Sequence, residues 1–164
     1  MYRGRDISIS DRSNWSNEIN PGDIILTRNL RPIHNLTPGF YNHAAIYCGC
    51  NIIIEAQIRK GVITTDLEEF LDRYPIVTAV RYAGGKFNTE AAAYARNFGG
   101  KKYGKLSSLF KRLFNDGADN CVSLVRRIFK DIGEVDTGWK VPDDIANDNN
   151  VEKIFNDGIH LGDY

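Results

Sequence analysis

Short apolar runs separated by turn residues fill the first half of the chain, and helical periodicity enters only later. Pro21-Gly22-Asp23 is a turn signal, and Ile24-Ile25-Leu26-Thr27 after it is short, β-branched and apolar, the pattern of a buried strand. Asn29 to Asn42, with Pro32, Pro38 and Gly39, reads as a loop that delivers the chain into a second strand, His43-Ala44-Ala45-Ile46-Tyr47-Cys48. Gly49-Cys50-Asn51 is the next turn, Ile52-Ile53-Ile54-Glu55-Ala56-Gln57 the third strand, and Gly61-Val62-Ile63 a continuation of the sheet. Successive strands joined by tight turns form an antiparallel meander.

Beyond the meander the period changes. Asp66 caps a short helix through Phe70 and Leu71, Pro75 ends it, and Ile76-Val77-Thr78-Ala79-Val80 returns as a strand. Asn88 caps a helix with Glu90 in its first turn and Ala91, Ala92, Tyr94, Ala95 and Phe98 at helical spacing, stopped by Gly99-Gly100. Leu106 to Phe114 reads as another short helix. Asn120 then precedes a segment with apolar residues at Cys121, Leu124, Val125, Ile128 and Phe129, closed by Gly133, and this stripe must face a core. No internal repeat or linker marks a second domain, so residues 1–164 are expected to form one domain. Residues 1–20 read as a polar lead-in arm and residues 141–164 as a surface-wrapping tail.

Composition narrows the function classes without choosing one. At 164 residues the chain has room for one real hydrophobic core, and 42% apolar with 26% charged residues is ordinary for a globular protein. Lysine plus arginine equals aspartate plus glutamate at 21 each, so no global field draws in nucleic acid or acidic membranes. No apolar run is long enough for a membrane span, and none near the start has the length of a secretory signal, so a cytoplasmic protein without stable membrane insertion is expected. Cys48, Cys50 and Cys121 are an odd set, unsuited to a disulfide framework. Cys48-Gly49-Cys50 would bind a metal only with ligands from elsewhere, and neither a metal nor a cofactor is expected.

The residues able to carry chemistry are few. A cysteine becomes a nucleophile when its thiolate is favoured, and the first turn of a helix does this through unpaired backbone N–H groups and the positive end of the dipole. Cys121 occupies that position, and with Asn120 as cap its sulfur lies beside N–H groups that can also bind an oxyanion. A buried thiol on the apolar stripe is the plain alternative. His43 opens a strand directly after a polar loop, at the rim of a sheet where a base can reach a helix terminus, whereas His34 lies in a loop and His160 near the end of the chain.

Hairpin parity bears on which group orients the imidazole. With a three-residue loop at Gly49-Cys50-Asn51, Cys48 pairs with Ile52, and His43 lies opposite Gln57 and diagonal to Glu55 on one face. With a two-residue loop both would point the other way. Asn51 tolerates left-handed geometry and favours the longer form. A carboxylate following three isoleucines also needs a partner if it is buried, though a rim position on an edge strand would satisfy it equally.

The blocks PGDIILTR, NHAAIYCG, IIIEAQ with GV shortly after, and DNCVSLVRRIFKDIG, in that order, resemble the circularly permuted branch of the NlpC-type cysteine peptidases. These are the YiiX/YaeF-like proteins related to lecithin retinol acyltransferase, in which the histidine strand precedes the cysteine helix. The resemblance covers roughly Pro21 to Gly133. It implies an α+β papain-like fold, with a central antiparallel sheet or half-barrel packed against the nucleophile helix. It implies Cys121 as nucleophile, His43 as base and Glu55 as the residue orienting the histidine. Asn120, Tyr103 and Gln57 are the associated candidates for oxyanion or substrate contact. Gly99-Gly100-Lys101-Lys102-Tyr103-Gly104 looks like the family's G-x-x-Y-D segment with Gly104 in place of the aspartate, and Asn120 stands where relatives carry an aromatic residue. The implied reaction is hydrolysis of an amide in a peptide or peptidoglycan-like substrate through a thioester. Acyl transfer or hydrolysis of a lipid ester is the alternative, and a binding module with an idle thiol is the non-enzymatic one.

Overall fold

A computed structural model describes residues 5–7, 15–29, 39–57, 60–83, 86–99, 120–133 and 136–157. The described elements run β1 (Arg5–Ile7), α1 (Trp15–Glu18), β2 (Ile24–Arg28), β3 (His43–Tyr47), β4 (Ile52–Gln57), β5 (Gly61–Asp66) and α2 (Leu67–Arg73). They continue with β6 (Ile76–Tyr82), α3 (Lys86–Arg96), α4 (Asn120–Gly133), α5 (Pro142–Ala146) and β7 (Val151–Asp157). One seven-stranded sheet orders them β1-β7-β6-β2-β3-β4-β5, so β2 to β5 form the meander and β6 returns to the free edge of β2. Every neighbouring pair is antiparallel except β1 with β7.

Strand parity sorts the apolar residues onto two faces, each with its own helices. Ile24, Leu26, Ala44, Ile46, Ile54, Ala56 and Val80 face the buried sides of α3 and α4. Ile25, Ala45, Tyr47, Ile53, Val77 and Ala79 face Trp15 and Ile19 and the α2 residues Leu67, Phe70 and Leu71. On α4 the expected stripe at positions 121, 124, 125, 128 and 129 is buried, joined by Val122. Each fully buried leucine or isoleucine contributes about 2 kcal/mol by leaving water, so this face alone fixes where the start of α4 must lie. Alanines at 91, 92 and 95 let α3 lie close beside α4.

Three expectations change. The first twenty residues are more than an arm: β1 joins the sheet, and Trp15 and Ile19 are buried beneath it, because an isolated tryptophan in a polar stretch carries enough apolar area to dock without a periodic pattern. The tail after Val141 supplies β7, which pairs with both β6 and β1. Asn88 lies inside α3, which starts at Lys86, and its buried amide donates to the Tyr82 carbonyl, tying the helix to the end of β6. Asp66 does cap α2, accepting the Glu68 N–H at 2.8 Å. The helix expected at Leu106 to Phe114 lies outside the described residues.

One polar pair and one close backbone approach hold the sheet at the mouth of β2. The fully buried Asp23 carboxylate, at the mouth of β2, receives Arg81 Nε at 2.7 Å and Nη2 at 2.8 Å, cross-linking β2 to β6. Gly22 beside it adopts a φ of +95°, and a Cβ there would stand 2.0 Å from the Asn88 backbone oxygen. Gly22→Ala is therefore expected to destabilise the protein by about 2 kcal/mol or more. Urea unfolding of the two proteins measures this, and an unchanged midpoint would refute it.

Candidate active site

His43 is the first residue of β3, and the segment before it is fixed at several points. Asn42 donates its backbone N–H to the Thr27 carbonyl at 3.0 Å and, through its side chain, exchanges two 2.9 Å hydrogen bonds with the Asn29 backbone. Asp143, in the first turn of α5, accepts the Phe40 and Tyr41 N–H groups, one on each carboxylate oxygen, at 2.9 Å. The Tyr41 hydroxyl meets Thr78 Oγ1 at 2.9 Å, and Arg28 both bonds the Phe40 carbonyl and covers its ring. The chain therefore reaches β3 with its direction set from three elements.

The β3–β4 hairpin has the three-residue loop. Cys48 N–H bonds the Ile52 carbonyl at 2.8 Å, with Gly49, Cys50 and Asn51 all at positive φ. Ala45 pairs with Glu55, so continuing the register sets Gln57 opposite His43, and His43 and Glu55 share one face. His43 Nε2 lies 3.0 Å from Glu55 Oε2. Gln57 is half-buried at the strand end. Glu55 leaves the other imidazole nitrogen, Nδ1, unused, and Cys121 is near enough to His43 to raise the pKa of the imidazole.

Cys121 itself is the second residue of α4 and is buried. Its neighbours belong to the face covered by α3 and α4, whereas His43 and Glu55 follow the parity of the face covered by α1 and α2. They meet because His43 stands at the end of its strand, where an imidazole and a helix terminus can approach around the sheet's rim. Asn120 is the first residue of α4; its side chain, and the whole of Tyr103, lie outside the described residues.

Glu55 is fully buried, and its second oxygen is also occupied. Thr65 donates its hydroxyl to Oε1 at 2.6 Å, and Arg73 Nη2 donates to the same atom. Tyr74 stacks on His43 with ring centres 5.6 Å apart, and Phe70 lies 6.2 Å away, so the histidine–carboxylate bond is roofed by aromatic rings. Sequence reasoning missed Thr65, Arg73 and Tyr74. Thr65 was within reach of parity, since it pairs with Ile53 and so shares the face of Glu55. Arg73 and Tyr74 needed the docking direction of α2, which helical spacing alone does not give.

Burial lowers the affinity of His43 for its proton, but the hydrogen bonds and negative charges of Cys121 and Glu55 outweigh it and raise the pKa to about 9. For Glu55, burial pushes upward, and the hydrogen bond and charge of His43, then Thr65 and Arg73, bring it down to about 2. The sign of each linkage follows. A raised imidazole pKa stabilises the fold fully below the ordinary value of 6.5, and that stability is lost as pH rises through about 9. A depressed carboxyl pKa stabilises it above 4.5, and that stability is lost as pH falls through about 2. The contribution of the pair is thus expected to be greatest between pH 4.5 and 6.5. Urea unfolding from pH 3 to pH 10 should show both declines in wild type and a flatter profile in Glu55→Gln; parallel profiles would contradict it.

A protein-family profile described as permuted papain-like amidase enzyme, YaeF/YiiX, C92 family, matches residues 18–158, from α1 through β7. A search of curated proteins finds no match. Among solved structures, the crystal structure of the metalloprotein yiiX from Escherichia coli O157:H7 aligns with a TM-score of 0.52 at 17% identity, over 73% of this chain and 69% of that one. At that identity the likeness is one of fold: helices against an antiparallel sheet in permuted papain-like order. Among the described residues here, no group of three or more His, Cys, Asp or Glu side chains is placed to hold a metal ion, and both Glu55 oxygens already have partners. From the span of the profile and the shared architecture, the chain belongs to the YaeF/YiiX family of permuted papain-like amidases, family C92.

Proposed function

We propose that this chain is a thiol hydrolase in which Cys121 attacks the carbonyl carbon of an amide in a peptide or peptidoglycan-like substrate. The observation that carries this reading is an imidazole held through Nε2 by a buried carboxylate at the rim of the sheet, with the thiol at the start of α4 near enough to raise its pKa. Membership of an amidase family favours an amide over an ester as the scissile bond.

As the carbon–sulfur bond forms, the carbonyl oxygen becomes an oxyanion facing the N–H groups of the first turn of α4. The imidazolium of His43 gives its proton to the amide nitrogen while the carbon–nitrogen bond breaks, leaving an amine and a thioester on Cys121. His43, now neutral, takes a proton from water as that water attacks the thioester. The carbon–sulfur bond breaks, the acid departs, and the thiolate and imidazolium are restored. Glu55 remains ionised throughout, its charge facing the imidazolium and its orientation fixing the Nδ1 side toward sulfur.

Cys50 provides an internal control, because it is exposed whereas Cys121 is buried. Iodoacetamide near neutral pH is expected to alkylate Cys121 faster than Cys50 and far faster than buried Cys48, whose thiol is pushed up to about 12 by burial. Slower labelling of Cys121 than of Cys50, read by peptide mass spectrometry, would support an idle thiol. Turnover of peptide amides, peptidoglycan fragments and acyl lipids by wild type and Cys121→Ala identifies the substrate bond. Amide cleavage that is lost in Cys121→Ala supports the proposal, and activity confined to lipid esters overturns it. On the cleaved substrate, Glu55→Gln is expected to lower kcat by about a hundredfold while the fold is retained, and Gln57→Ala much less. The reverse ranking in folded variants would transfer the orienting role to Gln57.

A further inference from the structure

Arg73 is the cation nearest the orienting carboxylate, and the papain-like arrangement of thiol, imidazole and carboxylate does not require it. Its guanidinium reaches Glu55 Oε1 from the last turn of α2, and is held over the rings of Phe70 at 5.5 Å and Tyr74 at 5.8 Å. The carboxylate therefore lies between two cations, His43 on Oε2 and Arg73 on Oε1. We propose that Arg73 is a positioning residue of this site, acting on His43 only through Glu55, by drawing part of the carboxylate's charge away from the imidazolium.

The need for such a device follows from the chemistry. An imidazolium facing a thiolate on one side and an unshared buried carboxylate on the other holds its proton too firmly to give it to a leaving amine. Sharing the carboxylate with a second cation weakens that hold without removing the acceptor that orients the ring. Thr65 makes the device separable: its hydroxyl bonds the same oxygen as Arg73, so Glu55 keeps its place when the guanidinium is lost. The charged or titratable groups facing His43 are Cys121 from α4, Glu55 from β4 and Tyr74 from α2, with Arg73 of α2 on the far oxygen of Glu55; β2 presents the neutral Thr27 across the strand pair. Arg73 is thus the one cation among these described groups, and its effect on the imidazole has a definite sign.

The inference rests on the proposed roles of Cys121 and His43, and its test is chosen to be independent of turnover. In the full chain carrying Cys121→Ala, the His43 ring is titrated by NMR with labelled histidine, its signal assigned by its loss in His43→Ala. Arg73→Gln, which retains a donor but no charge, is expected to raise the His43 midpoint by about one pH unit. Arg73→Lys should stay near the parent value, and Glu55→Gln should lower it. Arg73→Met serves as the second uncharged variant if Arg73→Gln does not fold. In the active protein, Arg73→Gln is expected to lower kcat severalfold with KM unchanged, and to move the alkaline limb of kcat to higher pH. A folded uncharged variant whose His43 midpoint is unchanged or lower overturns the proposal. So does an effect confined to KM, which would place the guanidinium against substrate. Failure of Cys121 as nucleophile appears instead in the alkylation comparison, and leaves the titration result standing.

Discussion

The carboxylate of Glu55 is the constraint from which the arrangement of the site follows. A charge with no exposure to water, in the middle of a β-strand, costs several kcal/mol unless its lone pairs are matched by donors. Three elements supply them: β3 brings His43, β5 brings Thr65 and α2 brings Arg73. Each of those elements is therefore held to one position relative to β4 by something stronger than apolar contact, which has no direction. Removing any single donor would leave the others serving an under-satisfied charge, and that explains why an ionised group can be both buried and well ordered.

The second requirement is that two separate cores deliver their contributions to one edge. The face covered by α3 and α4 places Cys121, and the face covered by α1 and α2 places the histidine, its carboxylate and the aromatic roof. Neither core contains the whole site. The sheet between them works as a rigid spacer, and its end, where β3 begins, is where side chains from both faces can touch. Close packing on both sides keeps that meeting point from drifting, since a shift of either helix would open voids in a core filled to near-crystalline density.

Much of this was legible from local patterns. The hairpin register followed from the tolerance of Asn51 for left-handed geometry, and it sets His43 and Glu55 on one face. The buried stripe of α4 followed from its spacing, as did the Asp66 cap. What escaped was non-local. Trp15 and Ile19 have no periodic neighbours to announce their burial, and β7 is too polar to read as a strand until β6 and β1 offer it partners. Asn88 looked like a cap because asparagine before alanines usually is one, yet the Tyr82 carbonyl gives its amide a better use inside the helix. Arg73 and Tyr74 lie on a helix whose limits were readable but whose resting place on the sheet depends on the apolar surface it covers.

Asp143 has a consequence of timing. Its carboxylate grips the backbone at Phe40 and Tyr41, about a hundred positions earlier, just ahead of the strand that begins with His43. A ribosome releases a chain from its amino end, so the imidazole and its carboxylate emerge first, the thiol later, and the clasp that steadies the histidine strand later still. Here Cys121 emerges after His43, and the backbone leading into the histidine strand is clasped only once Asp143 of α5 has emerged and bound Phe40 and Tyr41.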